Sequence, residues 1–521
     1  MQNEYLNEFT PAESIKQVKQ YFDVIDTSVG VGDTNKKYTP SKNPSSPGGT
    51  QSENTYLTFN ISPVGENISD LYNSTIGATM TVVLKNTTAV GAFPATLTNC
   101  NAAAVWVGFT DSFDAVGAYQ ILANGRQIYT QDNAHNESFI TSCGATEAVK
   151  RVDIFSKARH KDVWKRADTS KSGFIINFNS IAANTEITCT IPIKIDLRRF
   201  LVLDSIRYLP AFAGNIQLKI KFSSEALQVT PLSVEDCIYN PTFRSKIVTY
   251  PAITNKFVPF EEPFTMITAV AYDTSNGVTL TAGTQTLTKK SCVVSETFSY
   301  LNCFSLDPAV YTELVERYSQ TALSFPIKRM DWLSMDGTLS ASGKSTFTAT
   351  FTPLFVNSIY VLWKKKANYF SNFDNPLFKS VQLNCGAYDN IPVDPEPSNK
   401  AVFYEMCANS MNTNNDLCGF NTDVMRSLTT DSIQDTGYYS NDTTHFFMGF
   451  PTETDFTFQQ GMTSNSPINF KLTVEPSQAS AAFQEKPEMG FLRHCAFSIQ
   501  LRPNGPPNVV IDDYDLSAPA A

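Results

Sequence analysis

Histidine is nearly missing from this chain of 521 residues, occurring four times, at positions 135, 160, 445 and 494. No two of them stand at the spacing of metal ligands. The pair His135 and Glu137 in AHNESF has no third ligand nearby, so the segment reads as a solvated loop and no metal-binding residue is expected. The ten cysteines include no CxxC pair, which removes the usual zinc-ribbon and redox signatures. Charged residues make up only 17%, and the net charge of -10 would repel a phosphate backbone, which argues against direct sequence-specific nucleic-acid binding. No run of about 18 apolar residues occurs, so no membrane-spanning helix is expected.

The opening segment MQNEYLNEFTPAESIKQVKQYFDVID lacks the apolar stretch of a signal peptide and reads instead as a short amphipathic helix over Ser14 to Ile25. Without an export signal, the cysteines read as reduced, mostly buried thiols of a protein made inside a cell. The sequons at Asn60, Asn67, Asn73, Asn86, Asn136 and Asn441 then read as chance matches in an Asn/Thr-rich chain.

What the chain does contain points to β-structure. Aromatics reach 12%, with 37 Phe, and short β-type runs recur at turn spacing from Tyr56 onward. In TEITCTIPIKI, Ile187, Cys189, Ile191, Ile193 and Ile195 alternate with other residues, which turns one face toward a core. Asn124-Gly125, between YQIL and RQIY, is the signature of a tight hairpin. Helical signals are few and short: Thr146 to Arg159, DLRRFLVL after Asp196, and DPAVYTELVERYSQ after Asp307, with Pro308 at the first helical position. None alternates with strands as a parallel sheet would require, so the class is all-β. A proline-punctuated segment over Asn240 to Pro263 separates two strand series of comparable size. The likeness of YQILANG to VQLNCG supports a tandem duplication.

Tests for chemistry come out negative, and no catalytic residue or cofactor is expected. GTLSASGKST, Gly337 to Thr346, ends like a phosphate loop, but five residues separate its glycines and a strand follows, so it reads as a hairpin or inter-strand loop. FEEP and IDDYD read as solvated or capping carboxylates. The basic clusters FSKARHKDVWKRADTSK and WKKK read as solvated loops or subunit contacts.

The order of elements resembles the double jelly-roll major capsid proteins of the adenovirus and tailless-phage lineage, in its virophage and Polinton-Maverick branch. The likeness is carried by VWVGFTDSFDAVGAYQILANGRQIYTQDNAHNESFI, DLRRFLVLDSIRYLPAFAGNIQLKIKF, and FVNSIYVLWKKK with NPLFKSVQLNCGAYDNIP. It implies two tandem eight-stranded antiparallel jelly-roll β-sandwiches with a few short helices. The division expected is an N-terminal helix and flexible arm (1–54), a first roll (55–240), a second roll (241–503) and a C-terminal tail (504–521). It further implies homotrimeric, pseudo-hexagonal capsomers of an icosahedral virion. The implied partners are copies of the chain itself, penton and minor capsid proteins, and an internal membrane or core protein. Tower loops would come from Thr141 to Ser172, Asp273 to Lys290 and Asn409 to Thr444. The terminal segments would order only on assembly. A carbohydrate-binding or adhesive β-sandwich is the alternative, and a β-sandwich hydrolase is less favoured for want of any motif.

Overall fold

A computed structural model describes residues 37–63, 68–86, 103–109, 112–143, 174–177, 186–204, 206–233, 258–259, 264–273, 277–306, 308–340, 343–363, 373, 378–386, 406–407, 409–410, 446–452, 462–476, 486–502 and 505–513. In the first half the strands are β1 (Lys37–Pro44), β2 (Gln51–Ser52), β3 (Tyr56–Asn60), β4 (Ile68–Asn86), β5 (Ala103–Gly108), β6 (Val116–Ala123) and β7 (Arg126–Gln131). Helix α1 (Ala134–Cys143) follows, then β8 (Phe174–Asn177), β9 (Glu186–Asp196), α2 (Leu201–Asp204), β10 (Tyr208–Pro210), β11 (Ile216–Phe222) and β12 (Gln228–Ser233). Next come β13 (Val258–Pro259), β14 (Phe264–Asp273), β15 (Gly277–Ser305) and helix α3 (Pro308–Gln320). The second half adds β16 (Leu323–Ser334), β17 (Asp336–Gly337), β18 (Ser345–Phe351), β19 (Val356–Leu362), β20 (Phe378–Cys385), β21 (Met448–Pro451), β22 (Ile468–Pro476), β23 (Glu488–Arg502) and β24 (Gly505–Asp513).

All the strand pairings are antiparallel. One sheet of the first half runs β3-β11-β6-β7, and it shares a core with a seven-stranded sheet built on β15, β4 and β9. Alternation explains both: every second residue of β11 is buried, and Cys189, Ile191, Ile193 and Ile195 of β9 point into the same core. The second half pairs the sheet β16-β23-β19-β21 with the sheet β17-β18-β22-β20 over a second core.

The order of strands corrects the repeat read from the sequence. β6 and β19 occupy the same place in their sheets, each flanked on one side by β11 or β23 respectively. The counterpart of YQIL in β6 is therefore SIYV in β19; VQLNC is β20, in the other sheet of its sandwich. β19 is buried along its whole length, so both its faces meet protein and no alternation survives to mark it.

The sheets also disregard the boundary at 240/241. β15 lies beyond it yet pairs with β4 from Leu287↔Asn86 to Phe304↔Ile68, because β4 needs a neighbour on the side opposite β9. The cores interlock as well. Leu323, Phe325 and Ile327 of β16 and Phe497 and Ile499 of β23 join the first core, while Phe139, Ile140 and Cys143 of α1 join the second. The arm 1–54 is not wholly flexible, since β1 pairs with β15 over Lys37↔Ser305 to Pro44↔Phe298. Nor is 504–521 wholly a tail: β24 pairs with β23 and buries Val509 in the first core. The expected tower at Asp273 to Lys290 is part of the β14–β15 hairpin, and the segments 144–172 and 411–444 lie outside the described residues, as does the helix expected over Ser14 to Ile25.

Candidate functional site

AHNESF is not a solvated loop. It forms the first turns of α1, where Ala134, His135, Asn136, Glu137, Ser138 and Phe139 are all buried. The helix begins in the chain leaving the β6–β7 hairpin, and the carbonyl of Asn133 accepts from the N–H groups of Asn136 and Glu137. Each polar side chain in this turn finds a partner far along the chain, which is how so much polarity tolerates burial. The Ser138 hydroxyl donates to Asp114 at 2.8 Å, and His135 Nε2 lies 3.9 Å from Glu225. The Asn136 amide donates to Glu488 at the start of β23.

Glu137 is the centre of the group and is fully buried. The Tyr119 hydroxyl, from β6, lies 2.9 and 3.0 Å from its two oxygens. Gln131 Nε2 donates to one oxygen at 3.0 Å, and the Leu201 N–H donates to the other at 3.0 Å. Burial raises the carboxyl above its ordinary range, and the Leu201, Gln131 and Tyr119 donors work in the opposite direction. Burial and the Glu137 charge also push Tyr119 well above the usual phenol range, so it remains a neutral donor. The Gln131 amide, in addition, donates to the Met330 carbonyl of β16 at 2.8 Å. The cluster thus ties β6, β7, α1 and α2 of the first half to β16 and β23 of the second. Its carboxylate has donors on both oxygens and no exposed surface for a substrate, so what it can do chemically is hold the two halves together.

A second tie lies where the arm meets the first sandwich. Glu53 accepts from the Ser224 hydroxyl, and Lys289 Nζ lies 3.0 Å from Glu53 and 2.6 Å from Ser224 Oγ. Burial pushes the Glu53 carboxyl up, but the Ser224 and Lys289 contacts outweigh it and leave the group below its usual range.

The remaining candidates fall as follows. Asp336 and Gly337 pair with Thr348 and Phe347, so GTLSASGKST is a hairpin. Asn124 and Gly125 have φ of 51° and 82°, the left-handed pair of a tight turn. Asn124 also receives the Asn215 N–H at 2.9 Å and donates to the Pro507 carbonyl at 2.9 Å, which anchors β24 to the first half. Ile511 to Asp513 of IDDYD belong to β24. FEEP, the cluster 155–171, Lys364 to Lys366, His160 and His445 lie outside the described residues. His494, in β23, is neutral because burial and Lys328 pull its imidazole down to about 3. The seven described cysteines form no disulfide and are buried, and burial pushes the thiols of Cys189, Cys292, Cys385 and Cys407 up to about 12. Among the described residues no three His, Cys, Asp or Glu side chains are grouped to hold a metal ion, and no helix is long and apolar enough to cross a membrane.

The outward face of the seven-stranded sheet has an uncharged centre. On it β9, β4 and β15 align three rows of residues, Thr188–Val83–Ser291, Thr190–Thr81–Val293 and Pro192–Thr79–Ser295. None of the nine is charged.

No family model matches the sequence, and no curated protein matches it. Solved structures do match in fold. The mavirus major capsid protein aligns with a TM-score of 0.50 at 9% identity, over 91% of this chain and 90% of that one. A cryo-EM structure of the Sputnik virophage gives 0.46 at 10% identity, over 92% and 89%, and the Faustovirus major capsid protein gives 0.41 at 11%, over 96% and 99%.

Proposed function

From the double jelly-roll fold that this chain shares with the mavirus major capsid protein, we propose that it is itself a major capsid protein, three copies of which form a pseudo-hexagonal capsomer of an icosahedral shell. The observation that carries the reading is the pair of interlocked sandwiches within one chain, similar over 91% of its length to a protein of that role. Physical chemistry supports it in two ways. Three such chains supply six similar rolls, which is what a near-hexagonal tile needs. The buried polar residues of AHNESF and their partners are consumed in joining the rolls, as suits a protein whose work is done by its surfaces. On this reading the chain is not an enzyme, its partners are further copies of itself with penton and minor capsid proteins, and it resides in the virion. The negative net charge leaves condensation of the genome to another component.

Size-exclusion chromatography with light scattering of the purified chain tests the reading. The expected mass is that of three copies, with six-lobed particles in negative stain. A strict monomer without particles at any concentration would refute it.

A further inference from the structure

We infer that the uncharged outward face of the seven-stranded sheet is the surface through which one copy of this chain meets the next within the capsomer. The inference rests on the function proposed above and adds the location of the contact.

Three observations carry it. The first is charge. Outward positions of other strands bear charge, as Lys219 and Lys221 do on β11, whereas the middle row Thr190, Thr81 and Val293 and the rows beside it bear none. Charged groups ring this centre, most of them compensated within the chain, and the exposed Glu296 carboxylate accepts from the Thr79 hydroxyl at 2.8 Å at one end of the rows. Lys290 pairs with Glu186 at 2.7 Å, and Asp196 lies 3.8 Å from Lys194 and 3.6 Å from Arg198. A neutral centre inside a charged rim is the anatomy of a protein interface. It also suits a second copy in particular, because identical chains of net charge -10 repel one another and lose least where the contact itself is neutral.

The second observation is exposure. Thr188, Thr190, Pro192 and Ser291 are exposed, and short, β-branched or cyclic side chains of this kind lose little rotamer freedom when covered. The third is size. β9 has 11 residues, and at ~3.3 Å per residue and ~4.8 Å per strand the three-stranded face spans roughly 500 Å² with its charged ends and roughly 240 Å² over the three uncharged rows, a fitting centre for a half-interface of about 800 Å².

The test introduces charge at the centre. Thr81→Lys combined with Thr190→Lys should convert the three-copy species to single chains at concentrations where the unaltered protein is fully associated, loosening association at least tenfold. Gln217→Lys, on the outward side of β11, should leave the three-copy mass in place. A double variant that remains three-copy with unchanged concentration dependence overturns the inference while leaving the proposed function standing. Dissociation by Gln217→Lys as well would also overturn it, by showing that the face has no special part. A single-chain mass for the unaltered protein sinks both. Hydroxyl-radical footprinting of the unaltered protein gives a readout independent of any variant's folding: Pro192 and Val293 should be protected in the three-copy species, and oxidation equal to that of the dissociated chain refutes the contact.

Discussion

Replacing Tyr119 with Phe isolates the polar junction between the rolls. The ring is kept, and with it the edge contacts to Phe113 and Phe200 at centroid distances of 6.4 and 4.9 Å, so no cavity is opened. What is lost is the hydroxyl that reaches both oxygens of Glu137 at 2.9 and 3.0 Å, one of three donors to that carboxylate. A buried hydrogen bond to a charged acceptor is worth about 1.5–3 kcal/mol, so Tyr119→Phe should lower unfolding free energy by roughly 2 kcal/mol. The pH dependence makes the prediction sharper. Burial raises the Glu137 carboxyl, so between its ordinary and its raised pKa the folded chain holds more protons than the unfolded one, and the contribution of this group to stability falls as pH rises through that window. Losing a donor harms the ionised form more than the neutral form. The deficit of the variant should therefore be smaller at a pH below the raised value of the folded chain than at one above it. Urea denaturation followed by intrinsic fluorescence at the two pH values measures it. A deficit under about 0.5 kcal/mol at the higher pH, or one of equal size at both, would refute the account of Glu137 as an ionisable tie.

Other perturbations test other parts of the fold. Gly125→Val places a β-branched residue at φ 82°, a strain of about 1–3 kcal/mol, and should lower the thermal midpoint and the yield of assembled protein; a wild-type midpoint would refute the hairpin assignment. The Glu53 carboxyl is depressed, so its contribution to stability is present above the ordinary carboxylate pKa and lost as pH falls through the lower folded value; Glu53→Gln should flatten the acid limb of the stability profile, and an unchanged limb would discount the tie to Ser224 and Lys289. Since seven of the ten cysteines are buried and outside any disulfide, at most three (ten minus seven) should react with a thiol reagent in the native protein, and all ten after unfolding; a fourth fast thiol would contradict the cores described.

Features that depend on neighbours in sequence were legible in it. The alternation in β9, the Asn124-Gly125 turn, the hairpin hidden in GTLSASGKST and the helix after Asp307 all appear as read, the helix running Pro308–Gln320 with Leu314 and Tyr318 buried against the first core. What escaped depends on distant partners. AHNESF looked like solvent-facing polarity because Tyr119, Gln131, Leu201 and Glu488, which satisfy it, are scattered through the chain. The likeness of YQILANG to VQLNCG misled because it compared turn chemistry, which any hairpin repeats, whereas equivalence between the rolls lies in pairing with β11 and β23. RPNGPPNVVIDDYD looked like a tail because two prolines precede its apolar run; those prolines fall at the beginning of β24, which pairs on one side only.

The pairing of β15 with β4, and of β23 and β24 with elements made much earlier, bears on biosynthesis. A ribosome that has released β4 must still make β15 before Leu287 can reach Asn86, and Asn124 waits for Pro507. Neither core can close on a nascent chain, so folding is deferred until nearly all the described strands have left the exit tunnel, with open sheet edges exposed meanwhile. Chains on one polysome therefore present incomplete sheets to one another rather than finished surfaces. Association between copies has to wait for release, which separates the timing of folding from that of shell growth.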